Sequence, residues 1–267
     1  EWMVHGQSEW NVREMDPRRY GDWATGDYTL EKSIEEYQLM YAIHLPGEFR
    51  DAGRPIKTTP IYQKLKDQGA IYAESFGWER PKYFAKQGEA EVYSFRRTNT
   101  FGPVAEECRA VRERVGVLDP SSFAKFDVSG PDAESMLNRL CANRMPTRPG
   151  GVALAHMLTR DAMIESEITV TRLADDRFYV LSAAVGELHD LDMLVQGKLD
   201  SEDATIENIS DDYGMLVLPG PCAREVLAKV TDAGLDNDAF PWLTGREIGV
   251  AGVPTRALRV SYAGELG

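Results

Sequence analysis

Two carboxylates, Glu165 and Glu167, could do acid–base chemistry, because they alternate with apolar residues in the stretch 156–170. The opposite positions of this alternation are Ile164, Ser166, Ile168 and Val170. A period of two residues is typical of a half-buried β-strand, so both carboxylates and Thr169 are predicted to share one strand face. A carboxylate beside a bound amine can take up and return a proton. The alternative interpretation is a solvated strand face, where charged side chains usually lie.

The sequence contains few motifs for any other kind of chemistry. It contains no glycine-rich dinucleotide fingerprint, phosphate-binding loop, zinc-protease motif, serine-hydrolase motif or calcium-binding loop. The four histidines never come in metal-ligand spacing, so no metal site is expected. We interpret His156 as a structural or surface residue and the pair His189–Asp190 as ordinary surface polarity on a helix.

Composition describes an ordinary globular protein with an acidic surface. The 267 residues are 43% hydrophobic and 27% charged, with a net charge of -13. This length allows one large domain or two smaller ones, each with its own core. Phosphate binding needs clustered Lys and Arg, so we expect no nucleic acid as a partner. No apolar run approaches the roughly 20 residues of a membrane-spanning helix, so no membrane partner is expected either.

Cysteine usage points to a reducing compartment. The sequence has three cysteines without CxxC spacing, namely Cys108, Cys141 and Cys222. An odd number of distant cysteines fits buried single thiols better than a disulfide framework or a zinc site. We therefore expect the protein in the cytoplasm, or in the mitochondrial matrix if the source is eukaryotic.

Turn residues and charge runs divide the chain into elements and domains. Residues 1–24 predict a helix tail followed by an extended connection. Residues 30–43 carry apolar side chains at helical spacing, which predicts an amphipathic helix with its aromatic stripe in the core. A charged stretch after Gly88 predicts a domain boundary there. The expected units are therefore 1–24, 25–88 and 89–267.

A strand, Gly-Pro, helix pattern occurs twice in the last of these units. It reads FDVSGPDAESMLNRL around Gly130 and LVLPGPCAREVLAKV around Gly220. Each proline stands where the first residue of a helix would, since its missing N–H has no partner there. Between the two copies, a turn at 174–176 joins two strand patterns, which predicts antiparallel pairing. The expected fold class is α+β, with mixed or antiparallel sheets and two related halves.

Longer strings along the chain resemble one group of flavoproteins. The early strings resemble the middle of dimethylglycine and sarcosine dehydrogenases, which oxidise N-methyl groups: EWMVHG, MDPRRYG, AGRPIKTTPIYQKL and ESFGWERPKYFA. The later strings resemble the C-terminal tetrahydrofolate domain of those enzymes: VRERVGVLDPSSFAKFDVSGP, ELHDL, LVLPGPCAREVL and SYAGELG. That domain is similar to the aminomethyltransferase (T-protein) of the glycine cleavage system. The resemblance covers essentially the whole chain.

The resemblance implies a piece of a longer enzyme and a division of labour within it. Residues 1–24 would be the tail of an FAD-binding domain, 25–88 the central domain, and 89–267 a folate-binding domain without its last strands. FAD, bound outside these residues, would oxidise a small methylated amine. Tetrahydrofolate would then capture the one-carbon unit, giving methylenetetrahydrofolate. These residues by themselves would oxidise nothing.

The resemblance also implies individual site residues. Glu167 corresponds to the second member of an acidic pair and is the expected catalytic and folate-binding group, whereas Ser166 replaces the first member. Thr169 would flank Glu167 on the same strand face. Phe123 would lie against the pterin, and Tyr262 would stack on the pterin or its benzoyl group.

Two alternative functions stay open at this point. One is a T-protein-like aminomethyl or methyl transferase, against which residues 1–88 argue because such transferases lack this segment. The other is a non-catalytic folate-binding module. It is suggested by Ser166, by Ala162 in place of a glycine, and by Ala183 in place of a folate-contacting asparagine.

Overall fold

The computed structural model describes residues 20–86, 88–159 and 161–261, together with residues 2–5, Pro17 and Gly267. Tyr262 and most of the segment 1–24 lie outside these residues, so the predictions made for them are not tested. The described part of that segment includes a short helix, α1 (Trp2–His5). Within the described residues, no helix has both the length and the apolar character needed to cross a membrane.

The first large element is helix α2 (Gly26–Gln38), which begins at Thr25. The Thr25 hydroxyl accepts the Tyr28 N–H at 3.3 Å and so satisfies one donor of the first turn. The prediction of a helix in the region 30–43 is confirmed, but the helix starts earlier and ends at Gln38. The predicted burial of its stripe is wrong, because the large apolar side chains here are exposed: Leu30, Ile34, Tyr37, Met40, Tyr41 and Ile43. Helical periodicity specifies which side chains share a face, and it does not specify what covers that face.

A short helix and a hairpin follow. Helix α3 (Tyr62–Asp67) leads into β1 (Ala70–Ser75) and β2 (Trp78–Phe84), which pair antiparallel. The buried Glu79 carboxylate receives two hydrogen bonds from the Arg54 guanidinium, at 2.8 and 2.7 Å. This two-pronged contact ties the loop before α3 to the hairpin.

The hairpin contacts helix α4 (Phe101–Glu113), which lies beyond the predicted boundary at Gly88. The Phe84 N–H donates to Oε1 of Glu107 at 2.7 Å. Helix α4 starts before Pro103, which is tolerated because the first turn of a helix needs no N–H there.

A five-stranded antiparallel sheet forms the centre of the later part of the chain. Its spatial order is β4–β5–β6–β3–β7. The strands are β3 (Ala124–Ser129), β4 (Val152–Leu158), β5 (Ile164–Ala174), β6 (Arg177–Ser182) and β7 (Thr205–Asn208). The predicted antiparallel pairing and the α+β class are confirmed.

One face of this sheet is buried under helices α5 (Ala133–Leu140) and α6 (Glu187–Gly197). The core cluster contains alternate residues of β3, β4, β5 and β6 with side chains from both helices, among them Phe126, Met136, Ala155, Ile168, Val180 and Leu194. Alternation then places the intervening residues on the opposite face of the sheet. We call this opposite face the outer face; Leu154, His156, Glu167, Thr169 and Leu181 belong to it.

A second hairpin covers one end of the outer face. It consists of β8 (Thr244–Val250) and β9 (Val253–Arg259). The turn residues at 252–254 predict that two strands are joined here, and the structure joins them at Gly252. The Arg256 guanidinium lies 4.5 Å from the ring centre of Tyr179 on the sheet. The other end of the outer face, around Leu154 and Glu167, remains partly exposed.

The two Gly-Pro turns share one backbone geometry. Gly130 and Gly220 have φ values of 125° and 121°. In each turn, the N–H of the third following residue, Ala133 or Ala223, donates to the glycine carbonyl at 3.0 Å. The second turn leads into helix α7 (Ala223–Leu227), but the strand before it is limited to one bridge between Leu118 and Val217. The two copies of the repeat are therefore most alike in the backbone geometry of the turn.

Candidate functional site

Glu167 is held on the outer face by a histidine of the neighbouring strand. The strand register pairs it with His156, and Oε2 of Glu167 lies 3.1 Å from Nε2 of His156. The side chains are 46% and 30% exposed, respectively. Glu167 therefore projects from a partly open face, and not from an enclosed apolar cavity within the described residues. The interpretation of His156 as a structural or surface residue did not include this pairing.

Thr169 lies two positions further along the same face. It pairs with Leu154 on β4 and with Leu181 on β6, and Leu181 in turn pairs with Lys125 on β3. Adjacent strands are about 4.8 Å apart, so the backbones of Thr169 and Lys125 are separated by roughly 10 Å. The prediction that Thr169 and Glu167 share a face is confirmed.

Phe123 immediately precedes β3 and is half-buried. Its carbonyl accepts a hydrogen bond from Nζ of Lys125 at 2.8 Å, which fixes the backbone that carries the ring. The register thus brings Phe123, Thr169 and Glu167 to one region of the sheet. Their roles in folate binding stay a prediction.

Lys125 is an element of this region that the sequence did not indicate. It is fully buried, and its ammonium also donates to the carbonyls of Ser121 and Ser210, at 2.8 and 3.1 Å. Burial lowers the pKa of Lys125 to about 8, although the nearby carboxylates of Glu187 and Asp211 oppose this shift. Three carbonyls replace the water that an ammonium normally binds. The Lys125 side chain can therefore be buried in the protein without an unpaired polar group.

Glu165 does not share the outer face with Glu167, contrary to the alternation. Met157 pairs with Ser166 and Leu158 pairs with Ile164, so Glu165 is an extra residue that β4 does not oppose. Such a β-bulge redirects a side chain. The Glu165 carboxylate contacts Nε2 of His189 at 3.1 Å, at the start of α6.

His189 and Asp190 are a connected pair, so the prediction of ordinary surface polarity is wrong. Nδ1 of His189 lies 2.8 Å from Oδ1 of Asp190, which is buried. The Ser182 hydroxyl donates to the other oxygen of Asp190. The result is a chain of contacts from Glu165 through His189 and Asp190 to Ser182. A pattern of helical surface residues could not show that the first turn of α6 meets β5.

The other residues singled out in the sequence are Tyr262, Ala183, Ala162 and the cysteines. Tyr262 lies outside the described residues. Ala183 follows β6 and is exposed, and Ala162 has a φ of 59° in the turn before β5. All three cysteines are free, with Cys141 buried but Cys108 exposed, which corrects the prediction of buried thiols.

A cavity of about 370 Å³ lies between the loop before α3 and the loop near residue 210, and its lining includes Lys57, Trp78, Ser121 and Tyr213. It adjoins the backbone around Lys125, because the carbonyls of the lining residues Ser121 and Ser210 accept hydrogen bonds from Nζ of Lys125. None of the predicted site residues lines it. Among the described residues, no group of three or more His, Cys, Asp or Glu could hold a metal ion.

The antiparallel sheet, with helices on one face and a carboxylate on the other, defines an α+β domain. Family comparison identifies this domain: the model of the GCVT N-terminal domain matches residues 61–267, and that of the FAD dependent oxidoreductase central domain matches residues 5–59. The chain belongs to the GCVT N-terminal domain family. The two matches meet near residue 60, and the boundary predicted at Gly88 stays a prediction.

Curated relatives agree with the predicted resemblance. The chain is 38% identical over 273 residues to "Dimethylglycine dehydrogenase, mitochondrial" from Rattus norvegicus, covering 100% of this chain and 31% of the relative. It is 30% identical over 308 residues to "Sarcosine dehydrogenase, mitochondrial" from Homo sapiens, covering 100% of this chain and 34% of the relative. The chain thus spans about a third of the length of these relatives.

A solved structure shows the same fold. The aminomethyltransferase T of the glycine cleavage system from Bartonella henselae superimposes with a TM-score of 0.63. It is 24% identical in sequence, and the match covers 79% of this chain and 52% of that chain. This likeness concerns the fold only.

Proposed function

We propose that this chain is the folate-side part of a flavin- and tetrahydrofolate-dependent dehydrogenase that demethylates a methylated glycine-type amine. The observation that carries the proposal is the Glu167 carboxylate, held by His156 on the partly open outer face of a T-protein-like sheet. The names of the two dehydrogenase relatives support the amine class. FAD is expected in a part of the polypeptide outside these residues.

The residues of the outer face fit a folate. A pterin is a flat aromatic ring with amine and amide groups at its rim, so it needs apolar surface beside hydrogen-bonding groups. Leu154 and Leu181 provide apolar surface next to the Glu167 carboxylate and the Thr169 hydroxyl. Phe123 would add an aromatic contact at the far side of the site, and Tyr262 a second one.

Tetrahydrofolate, when bound, supplies the amine nitrogens that capture a one-carbon unit. Glu167 takes up the proton that such a nitrogen releases, as a general base. Its Oε2 is oriented by Nε2 of His156, which leaves Oε1 for the ligand. Thr169 orients the same ligand through its hydroxyl.

The compartment and the other partners are proposals of the same kind. The relatives' names contain the word mitochondrial, which supports a mitochondrial matrix location over the cytoplasm for a eukaryotic source. A small amine and folate are the proposed partners, and neither nucleic acid nor a membrane has a role in this reaction.

The test uses the full-length, flavin-loaded protein and a Glu167→Gln variant. Loss of the base should reduce methylenetetrahydrofolate formation at least about a hundredfold and increase free formaldehyde. Amine-dependent dye reduction should stay near the parent value, because oxidation occurs elsewhere. A Glu31→Gln variant, which alters an exposed carboxylate on α2, is the matched control.

Two outcomes would contradict the proposal. A full-length protein without bound flavin and without amine-dependent dye reduction excludes the dehydrogenase. Unchanged methylenetetrahydrofolate formation in Glu167→Gln excludes Glu167 as the base and favours a non-catalytic folate-binding module.

A further inference from the structure

The bulge in β5 separates two carboxylates that the sequence places side by side. Without it, Glu165 and Glu167 would lie on one face two residues apart. Two nearby carboxylates disfavour each other's ionised form, so one of them would tend to hold a proton. The described structure prevents this, because the Glu165 side chain turns to His189.

His189 contacts a carboxylate with each of its ring nitrogens, Nε2 with Glu165 and Nδ1 with Asp190. A neutral imidazole has one N–H donor and an imidazolium has two. The imidazole therefore connects the two carboxylates through both of its ring nitrogens.

Asp190 is the buried end of this set of contacts. Its side chain is 2% exposed, and its carboxylate accepts a hydrogen bond from the Ser182 hydroxyl at the end of β6. Gly186 leaves just enough space, because a Cβ there would lie 2.6 Å from Oδ2 of Asp190. The contacts thus connect the bulge of β5 to the end of β6 and the first turn of α6.

The order of these residues excludes a hydrolase triad. The serine contacts the aspartate, and not the histidine that a nucleophile requires. Ser182 is also 4% exposed, so no substrate reaches its hydroxyl in the folded protein. A positioning role agrees with both observations.

We propose that His189 is a positioning residue for the folate site: by holding Glu165 against Asp190 it keeps the bulge in place, so that Glu167 faces the ligand without a second carboxylate beside it. The bulge also sets the register, since a slip of one residue exchanges the two faces of a strand. A slip in β5 would move Glu167 towards the core and Ser166 to the outer face. This inference rests on the proposed function of Glu167.

The experiment compares variants of the full-length, flavin-loaded protein. Glu165→Ala removes the partner of His189, whereas Glu165→Gln keeps an oxygen acceptor at the same place. His189→Ala removes the bridge itself. We expect Glu165→Ala and His189→Ala to lower methylenetetrahydrofolate formation about tenfold or more, because displacing a reacting group by about 1 Å can cost up to about a hundredfold in rate. Glu165→Gln should restore most of the transfer, and amine-dependent dye reduction should stay unchanged in all three.

Each other outcome has a defined meaning. Normal transfer in Glu165→Ala, together with lost transfer in Glu167→Gln, overturns the role of His189 and leaves the proposed function standing. Normal transfer in Glu167→Gln overturns the proposed function, and this inference with it. If Glu165→Ala lowers dye reduction as much as transfer, the chain of contacts is only structural. If His189→Ala fails to fold, the comparison of Glu165→Ala with Glu165→Gln tests the positioning role by itself.

Discussion

His156 and Glu167 face each other on adjacent strands, with 3.1 Å between Nε2 of the imidazole and Oε2 of the carboxylate. The contact joins the two strands at the partly open end of the outer face. It orients one carboxylate oxygen, and the proposed function assigns the other to the ligand. The candidate site therefore depends on a pair of residues and not on one carboxylate.

His156 can be tested by two substitutions. His156→Phe keeps a ring but removes the donor to Glu167, whereas His156→Gln keeps a donor. We expect the Phe variant to lose about fivefold in methylenetetrahydrofolate formation, corresponding to a hydrogen bond of about 1 kcal/mol. The Gln variant should stay within about twofold of the parent, since its amide N–H can replace the imidazole. Equal activity of all three proteins would exclude an orienting role.

Lys125 should make stability depend on pH in the alkaline range. Its pKa is about 8 in the folded protein and has an ordinary value of 10.5. Between these two pH values the unfolded chain binds more protons at this site than the folded one, so the free energy of unfolding rises with pH. One proton corresponds to a slope of at most about 1.4 kcal/mol per pH unit.

A Lys125→Met variant lacks this contribution. Denaturant unfolding at pH 7, 8, 9 and 10 should show that the parent gains stability relative to the variant as the pH rises above about 8. Parallel curves for the two proteins over this range would contradict the lowered pKa.

Two of the three cysteines, Cys108 and Cys141, should differ in reactivity. Cys108 is exposed, whereas burial raises the pKa of Cys141 to about 11 and keeps reagents away. Because the thiolate is the reactive form, we expect a disulfide reagent at pH 8 to modify Cys108 quickly and Cys141 only after unfolding. Cys108→Ser should remove the fast phase, and Cys141→Ser should leave it unchanged. A fast phase that survives Cys108→Ser but not Cys141→Ser would show that the assignment is wrong.

The Gly-Pro turn before α5 should tolerate no side chain. At Gly130 the φ is 125°, and a Cβ would lie 2.5 Å from the Asp203 carbonyl oxygen. We expect Gly130→Ala to reduce the free energy of unfolding by about 2 kcal/mol or more, since strain and a backbone clash combine.

Gly249→Ala is the matched control for this turn. Nothing lies within 4 Å of a Cβ at Gly249, so the change in stability should be within about 0.5 kcal/mol. Denaturant unfolding of both variants measures the difference. Similar stabilities for the two variants would contradict a steric requirement at Gly130.

Local patterns were sufficient to predict several elements. Alternation predicted strands β3 and β5, and turn residues helped to predict β6, the β8–β9 hairpin and the two Gly-Pro turns. These features depend on residues close together in sequence, whose backbone preferences act locally. The shared face of Glu167 and Thr169 followed from the same alternation.

Only the tertiary structure decided which side chains meet. It left the α2 stripe exposed, turned Glu165 to His189 through a bulge, buried Lys125 among three carbonyls, and placed His156 beside Glu167. A bulge depends on one residue in the pairing of two strands, and the contact with His189 depends on how a helix returns across the sheet. The sequence by itself determined the family resemblance, the order of elements and the carboxylate of interest. The partner of that carboxylate, His156, lies on the neighbouring strand, and local periodicity does not specify the register that brings the two side chains together.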